Sequence, residues 1–382
     1  MVYFIYPILK EKMKGFFMNK YKVCVYAICK NEENFVQRWF DSMKEADEIY
    51  VLDTGSTDNT VQKLKDLGVQ VKSEIIKPWR FDVARNKSLE LVPLDADICV
   101  CTDLDEVFES GWRKKLEQVW SKEITRIGYN YNWSLDNNKP LVNFYIEKIH
   151  SRNDYKWTHP VHEVLTYTGT NPEKKLITDE ITLNHYPDSQ KSRSSYLPLL
   201  ELSVKENPDD DRNMHYLGRE YMYYGKWNEC IDTLIRHLKL PTATWKDERC
   251  ASMRFIARSY KNLKRYDEAR MWLKKAIDEA PYLREPYVEM ALLEYEDKNW
   301  LKVEHFCLEA LKIKKHPKTY INEVFCWDET IYDLLSLSYF DQNQYATALE
   351  YIDLALEINP INERLLNNKK IIENIINQKE ID

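Results

Sequence analysis

A short apolar run that ends in a cluster of acids sets the fold class of the first half of the chain. Residues 98–108 read ICVCTDLDEVF. A continuous apolar run bounded by acids is typical of a strand buried on both faces. Asp103, Asp105 and Glu106 follow at its carboxyl end, where open α/β sheets bind ligands. Clustered carboxylates repel one another unless a cation lies between them, so the run favours a Mg²⁺ or Mn²⁺ site that holds a phosphate. A solvated acidic turn is the alternative.

Apolar strands and amphipathic helices alternate before this run. The predicted strands are residues 22–29, 48–53, 69–76 and 98–105. Short connections between them predict a parallel sheet with right-handed crossovers. Asp53 ends the second strand, so it should share one sheet edge with the acids of residues 103–106. The chain has neither a GxGxxG fingerprint nor a P-loop, so phosphates would be held by metal and by side chains such as Arg85.

The second half of the chain, from about residue 192, has a repeat with a period near 34 residues instead. Four positions recur in two copies: Tyr260, Ala269, Ala276 and Pro281, then Tyr339, Ala348, Ala355 and Pro360. This spacing predicts an all-α, tetratricopeptide-like helical repeat domain, with an insertion near residues 315–322 between the copies. The array is either a rigid scaffold or dimer contact, or a groove that binds a peptide or protein acceptor.

Composition narrows the class of protein further. The net charge of −7 gives the chain no attraction to nucleic acid or to anionic membranes. Eight scattered cysteines without a CxxC pair indicate reduced thiols in a cytoplasmic protein. No apolar run approaches the ~20 residues that span a bilayer.

The predicted organisation is an N-terminal extension at residues 1–19, an α/β domain at 20–190 and the helical repeat domain at 191–382.

Four segments in order give the first domain a family resemblance. They are residues 27–32 (AICKNE), 51–60 (VLDTGSTDNT), 81–86 (FDVARN) and 103–105 (DLD). Together they resemble the family 2 glycosyltransferases of the GT-A type. The resemblance covers about residues 20–190 and implies a Rossmann-like, nucleotide-sugar-binding GT-A domain. It also implies that residues 103–105 are the DxD motif, which binds a divalent metal on the diphosphate of a nucleotide sugar.

A subgroup of that family is also similar, namely the one that includes the peptide S-glycosyltransferases acting on sublancin-type bacteriocins. The similarity rests on His162 and Glu163, on His185 about twenty residues later, on residues 82–86 and on the helical tail. It implies a UDP-hexose donor, UDP-glucose or a similar sugar.

Inverting glycosyl transfer requires charge neutralisation at the diphosphate, a base and a positioned sugar. The expected metal ligands are Asp105, Asp103 and His185, and the expected nucleotide-sugar ligands are Asp53, Arg85, Asp103, Asn31 and Glu32. The base is either Glu163 or a nearby histidine, His162 or His159. A strand directs adjacent side chains to opposite faces, so only one of His162 and Glu163 should reach the cleft; Glu163 is favoured.

The sequence thus predicts a metal-dependent, inverting glycosyltransferase that moves a hexose to a polypeptide side chain or a glycan. One alternative is a repeat-based interaction scaffold with a degenerate transferase domain. Another is a nucleotidyltransferase, which would usually need a glycine-rich or basic loop after its first strand; residues 30–32 do not form one. A homodimer is left open.

Overall fold

The computed structural model describes residues 20–136, 139–188 and 195–379. Within these residues a sheet with its helices occupies the first half of the chain and stacked helices occupy the second, as predicted. The four strands predicted to be parallel are parallel, and later antiparallel strands make the whole sheet mixed. The predicted extension at residues 1–19 and the predicted boundary after residue 190 lie outside the described residues. None of the described helices has the length and apolar character needed to cross a membrane.

The sheet half contains ten strands and four helices among the described residues. The strands are β1 (Val23–Cys29), β2 (Glu48–Asp53), β3 (Gln70–Ser73), β4 (Ile98–Thr102), β5 (Glu106–Phe108), β6 (Arg126–Asp136), β7 (Lys139–Ser151), β8 (Tyr155–Thr158), β9 (Val164–Tyr167) and β10 (Lys175–His185). The helices are α1 (Val36–Met43), α2 (Thr60–Asp66), α3 (Phe81–Glu90) and α4 (Trp112–Val119).

Eight of these strands form one sheet in the order β3-β2-β1-β4-β7-β6-β10-β5. The first four are parallel, whereas β7 is antiparallel to both β4 and β6. Every residue of β1 and of β4 is buried, because apolar side chains pack on both faces of the sheet. That burial on two faces explains why these strands are continuous apolar runs in the sequence.

Strand β10 ends close to the carboxyl end of β4, because its last residue, His185, pairs with Glu106 of β5. Strand β10 pairs with β6 and β5 and ends at His185, while the turn after β4 carries the acidic residues. Strands β8 and β9 form a separate hairpin. The side chain of Asn86 in α3 bonds to both backbone polar groups of Trp157, at 2.8 and 2.9 Å, and this fixes the hairpin against the parallel half.

The helical half consists of pairs stacked in series. Its helices are α5 (Tyr196–Glu206), α6 (Asp211–Tyr223), α7 (Trp227–His237), α8 (Lys246–Asn262), α9 (Tyr266–Glu279), α10 (Glu285–Glu296), α11 (Trp300–Lys312), α12 (Thr330–Asp341), α13 (Tyr345–Ile358) and α14 (Glu363–Lys379). The repeated alanines Ala269, Ala276, Ala348 and Ala355 are fully buried. Small side chains at these positions let paired helices approach closely.

The insertion between the two clear repeats forms a strap, residues 313–329, that contains a short 3-10 helix (Val324–Cys326). Ile321 is buried among apolar side chains of α6 to α8, and its carbonyl oxygen accepts from Arg254 at 3.1 Å. Glu323 pairs with Arg258 at 2.6 Å. At the other end, Lys318 reaches Asp179 on β10 at 2.7 Å. The strap therefore connects the helices to the mixed half of the sheet.

Candidate active site

The loops after β1 and β2 form one wall of the site. Asp53 is 3% exposed, and its Oδ1 accepts from the backbone N–H three residues further on at 2.9 Å. Asn31 has a left-handed φ of 54°, and its Oδ1 accepts from the backbone N–H of Thr57 at 2.6 Å. The backbone N–H of Glu32 donates to Thr60 Oγ1 at 2.8 Å. These contacts bind the two loops together, and the nucleotide contacts of Asp53, Asn31 and Glu32 stay predictions.

A network of buried and partly buried charges lies at the end of β4. Arg85 Nη2 donates to Asp103 Oδ1 at 2.6 Å and its Nε donates to Glu163 Oε1 at 3.0 Å. Lys148 Nζ donates to Asp103 Oδ2 at 3.2 Å and to Glu106 Oε1 at 3.0 Å. Two cations thus face three carboxylates, and both oxygens of Asp103 already contact a cation. A metal on Asp103 would have to displace one of them; its metal and nucleotide roles stay predictions.

Burial and charge shift the proton affinities of this network in opposite directions. Burial disfavours the charged ammonium of Lys148, but Glu106 and Asp103 outweigh this and hold its pKa well above its usual range. The same balance raises the pKa of Arg85. Burial raises the pKa of Glu106, a rise that Lys148 opposes. Both cations therefore stay charged at neutral pH and can face an anionic substrate group.

Asp105 and His185 form a second pair beside the network. His185 Nδ1 lies 2.9 Å from the carbonyl oxygen of Trp133; a carbonyl only accepts, so Nδ1 carries a proton. Nε2 of the same ring lies 3.4 Å from Asp105 Oδ2. When the imidazole of His185 is neutral, its Nε2 is an acceptor and faces a second acceptor, Asp105 Oδ2. Either a second proton on the ring or a cation between the two atoms removes this mismatch. Burial opposes protonation, but Asp105 outweighs it and raises the pKa of His185.

The pair fits a divalent cation that takes its remaining ligands from a diphosphate. Carboxylate oxygen and imidazole nitrogen are ligands that Mn²⁺ and other first-row metals accept. Among residues 20–136, 139–188 and 195–379, no group of three or more His, Cys, Asp or Glu side chains is arranged to hold a metal ion. Asp105 and His185 alone do not complete the coordination of a metal ion, and metal binding at this pair stays a prediction.

The loop between β8 and β9 carries the candidate bases and separates them. Glu163 faces Arg85, whereas the ring of His162 stacks on Tyr216 of α6 at a centroid distance of 4.0 Å. Nε2 of His159 makes a short hydrogen bond to Asp210, next to the start of α6. Glu163 is thus the candidate base that lies with the charge network. The catalytic roles of Glu163 and His162 stay predictions.

Lys148 is the site residue that our sequence reasoning missed. In the alternating pattern of the sequence it falls in the same set as Phe144 and Ile146, although the register of β7 against β6 shifts by one residue between Ile146 and Ile149. A lysine in an otherwise apolar register needs a buried acidic partner, and that was the signal available. Tyr131, whose hydroxyl donates to Glu106 at 2.8 Å, gave no comparable signal, since an aromatic residue in a strand is ordinary core.

Comparison with known proteins gives a family match for each half of the chain. Residues 24–166 match the model of the family described as glycosyl transferase family 2. These residues form a family 2 glycosyltransferase domain. Residues 255–282 and 329–362 match the tetratricopeptide repeat. The predicted fold class, a GT-A-like domain followed by tetratricopeptide-like helices, is confirmed, whereas membership in the peptide S-glycosyltransferase subgroup stays a prediction.

The family 2 domain has bacterial relatives. An uncharacterized glycosyltransferase of Rickettsia typhi is 33% identical over 101 residues, which is 26% of this chain and 33% of the relative. The lipopolysaccharide core biosynthesis glycosyltransferase LpsC of Rhizobium meliloti is 28% identical over 113 residues, 29% of this chain and 41% of LpsC. The chain thus spans well under half the length of these relatives.

The crystal structure of MamA matches with 18% identity and a TM-score of 0.37, over 46% of this chain and 96% of MamA.

Proposed function

We propose that the chain is a metal-dependent, inverting glycosyltransferase that uses a UDP-hexose donor. The observation that carries the proposal is the pair of acceptors, Asp105 Oδ2 and His185 Nε2, that face each other at 3.4 Å beside the buried end of β4. Arg85 and Lys148 lie in the adjacent network and supply positive charge. A pair of metal ligands next to two fixed cations suits a diphosphate leaving group, because the negative charge of that group increases as the glycosidic bond breaks.

Each side chain has a role in this proposal. Asp105 and His185 hold Mn²⁺ or Mg²⁺, which when bound neutralises charge on the departing diphosphate. Arg85 orients the donor through its contacts to Asp103 and Glu163. Asp53, at the end of β2, accepts from the nucleoside.

Glu163 is the proposed base. One of its oxygens, Oε1, accepts from Arg85, and within the described part of the chain its Oε2 has no hydrogen-bond partner. Oε2 takes the proton of the acceptor atom as that atom forms a bond to the anomeric carbon. The bond from that carbon to the diphosphate oxygen breaks on the opposite face, and its electron pair leaves with UDP. One displacement of this kind inverts the anomeric configuration.

The acceptor is proposed to be a polypeptide side chain or a glycan. The helical repeats support a polypeptide, whereas the name of the LpsC relative supports a glycan. Transfer of a radiolabelled sugar from the donor to a panel of acceptors distinguishes the two. The label is recovered in protein if the acceptor is a polypeptide and in oligosaccharide if it is a glycan.

A cytoplasmic location is part of the same proposal. All eight cysteines are free and buried, and burial raises the pKa of the Cys24 and Cys307 thiols to about 12. Unpaired thiols support a reducing compartment.

Calorimetric titration of UDP with and without Mn²⁺ tests the metal site. We expect Mn²⁺ to strengthen UDP binding in the full chain, and Asp105→Ala to remove at least about tenfold of that gain, which is ~1.4 kcal/mol. Asp95→Ala, an acid that is 72% exposed in the same domain, is the matched control and should bind as the unaltered chain does. Equal UDP binding with and without Mn²⁺ would contradict metal dependence, and no UDP binding at all would favour the scaffold alternative.

A further inference from the structure

We propose that Arg212 and Tyr216 of α6, in the helical repeats, are positioning residues that hold Glu163 in the active site. The inference rests on the proposed function, in which Glu163 is the base. It makes the first repeat helices part of the catalytic unit.

The loop that carries Glu163 has an unfavourable backbone of its own. His159 and His162 have left-handed φ values of 78° and 49°, a region that residues with a Cβ seldom adopt. Such conformations cost on the order of 1 kcal/mol each and persist only where the surroundings hold them. Residues 159–163 therefore need contacts from the rest of the fold to keep this conformation.

Helix α6 and its preceding turn hold the loop at two points. Nη1 of Arg212 donates to the carbonyl oxygen of His162 at 2.6 Å. The imidazole of His162 lies nearly parallel to the ring of Tyr216, with an interplanar angle of 12°, and the Arg212 guanidinium packs over the same ring at 4.8 Å. His159 bonds to Asp210, whose other oxygen caps α6 by accepting from the backbone N–H of residue 213 at 2.8 Å.

These contacts lie one residue away from the proposed chemistry. The carbonyl that Arg212 binds belongs to the peptide group whose nitrogen is that of Glu163. Glu163 in turn accepts from Arg85 on the sheet side. A displacement of about 1 Å in the reacting geometry can reduce a rate by about a hundredfold.

The loop also has an anchor that does not depend on Arg212. Val161 is fully buried among apolar side chains of α5 and α6, including Leu200 and Leu217. Loss of the arginine should therefore leave the loop docked and the protein folded while the orientation of Glu163 becomes less defined. This separates positioning from stability in an experiment.

The test compares Arg212→Ala, Arg212→Lys and the control Arg364→Ala in the full chain. Arg364 pairs with Asp333 between α14 and α12, far along the chain from the loop. The readouts are kcat and KM for release of UDP from UDP-glucose with Mn²⁺ and water as acceptor, and UDP affinity. We expect Arg212→Ala to lower kcat tenfold to a hundredfold with KM and UDP affinity unchanged. Arg212→Lys should recover part of kcat, because an ammonium can also donate to the carbonyl, and Arg364→Ala should behave as the unaltered chain does.

Unchanged kcat in Arg212→Ala, a parallel loss of UDP affinity, or an equal effect of Arg364→Ala overturns the inference. Glu163→Gln separates this failure from that of the proposed function. If Glu163→Gln has full activity, or if the unaltered chain releases no UDP, the base assignment itself fails. If Glu163→Gln is slow and Arg212→Ala is not, only the positioning role fails. The double variant should be no slower than Glu163→Gln alone, because Arg212 acts through Glu163.

Tyr216 gives a second, independent variant. Tyr216→Phe keeps the ring under His162 and should retain kcat, whereas Tyr216→Ala removes the stacking surface and should lower kcat as Arg212→Ala does. Equal kcat in the two tyrosine variants would exclude the stack from the positioning role.

Discussion

Lys148 is the residue on which the charge balance of the candidate site depends most. Its ammonium neutralises Glu106, which is 1% exposed, and shares Asp103 with Arg85. Removal of one partner from a buried ion pair leaves an uncompensated charge, which typically costs 3–5 kcal/mol. We expect Lys148→Met to lower the free energy of unfolding at pH 7.5 by about 3 kcal/mol, measured by urea denaturation. Lys114→Met, at an exposed position of α4, should change it by less than about 0.5 kcal/mol.

The pH dependence of that loss has a definite sign. Burial raises the pKa of Glu106 in the folded chain above its unfolded value, and Lys148→Met removes the largest of the contacts that oppose that rise. A folded state that binds a proton more readily than the unfolded state gains stability as the pH falls through the raised pKa. The defect of Lys148→Met should therefore shrink as the pH falls from 7.5 toward the ordinary carboxyl pKa of ~4.3. A defect that stays constant or grows over this interval would contradict the buried-carboxylate explanation.

Individual elements differ in how much of them the sequence could predict. Strands β1 and β4 were predictable because burial on both faces demands a continuous apolar run, and the alanines of the repeats because helix pairs need small side chains at fixed spacing. The pairing of Asp105 with His185 depends on β10, which joins the sheet some 80 residues later in the chain. We expected both residues as metal ligands from their side-chain chemistry and the family resemblance, because periodicity within one element carries no information about such a partner. The contact of Arg212 with the loop at 159–163 had no such signal and was not predictable.

The strap was predictable as an insertion but not in its path. Burial of Ile321 among side chains of α6 to α8 is what holds it down, together with the carbonyl contact to Arg254. We expect Ile321→Asp to release the strap, because a buried carboxylate without a partner is far more costly than an exposed one. Limited trypsin digestion should then cut rapidly at Lys314, Lys315 or Lys318. Ile361→Asp, at a position that is 84% exposed, should leave the digestion pattern unchanged, and an unchanged pattern in Ile321→Asp would mean that the apolar contact does not hold the strap.

Across the whole molecule, residues of both halves contribute contacts at the candidate site. Arg80 in the sheet half pairs with Glu206 of α5 at 2.7 Å, and α6 holds the loop that carries Glu163. The proposed metal ligands and Asp53, by contrast, belong entirely to the sheet half. Donor binding and donor turnover should therefore depend on different lengths of the chain.

Two truncations separate these dependences. A chain that ends at residue 329 keeps α5 to α11 and the strap, and we expect it to release UDP from UDP-glucose within about threefold of the full chain, since stability in repeat arrays comes from neighbouring units. A chain that ends at residue 205 lacks Asp210, Arg212 and Tyr216. It should still bind UDP with Mn²⁺ in calorimetry, which also reports that its sheet is folded, yet release UDP at least about a hundredfold more slowly because its base is no longer held. Equal turnover by the two truncated chains would contradict a shared site and return the repeats to a role outside catalysis.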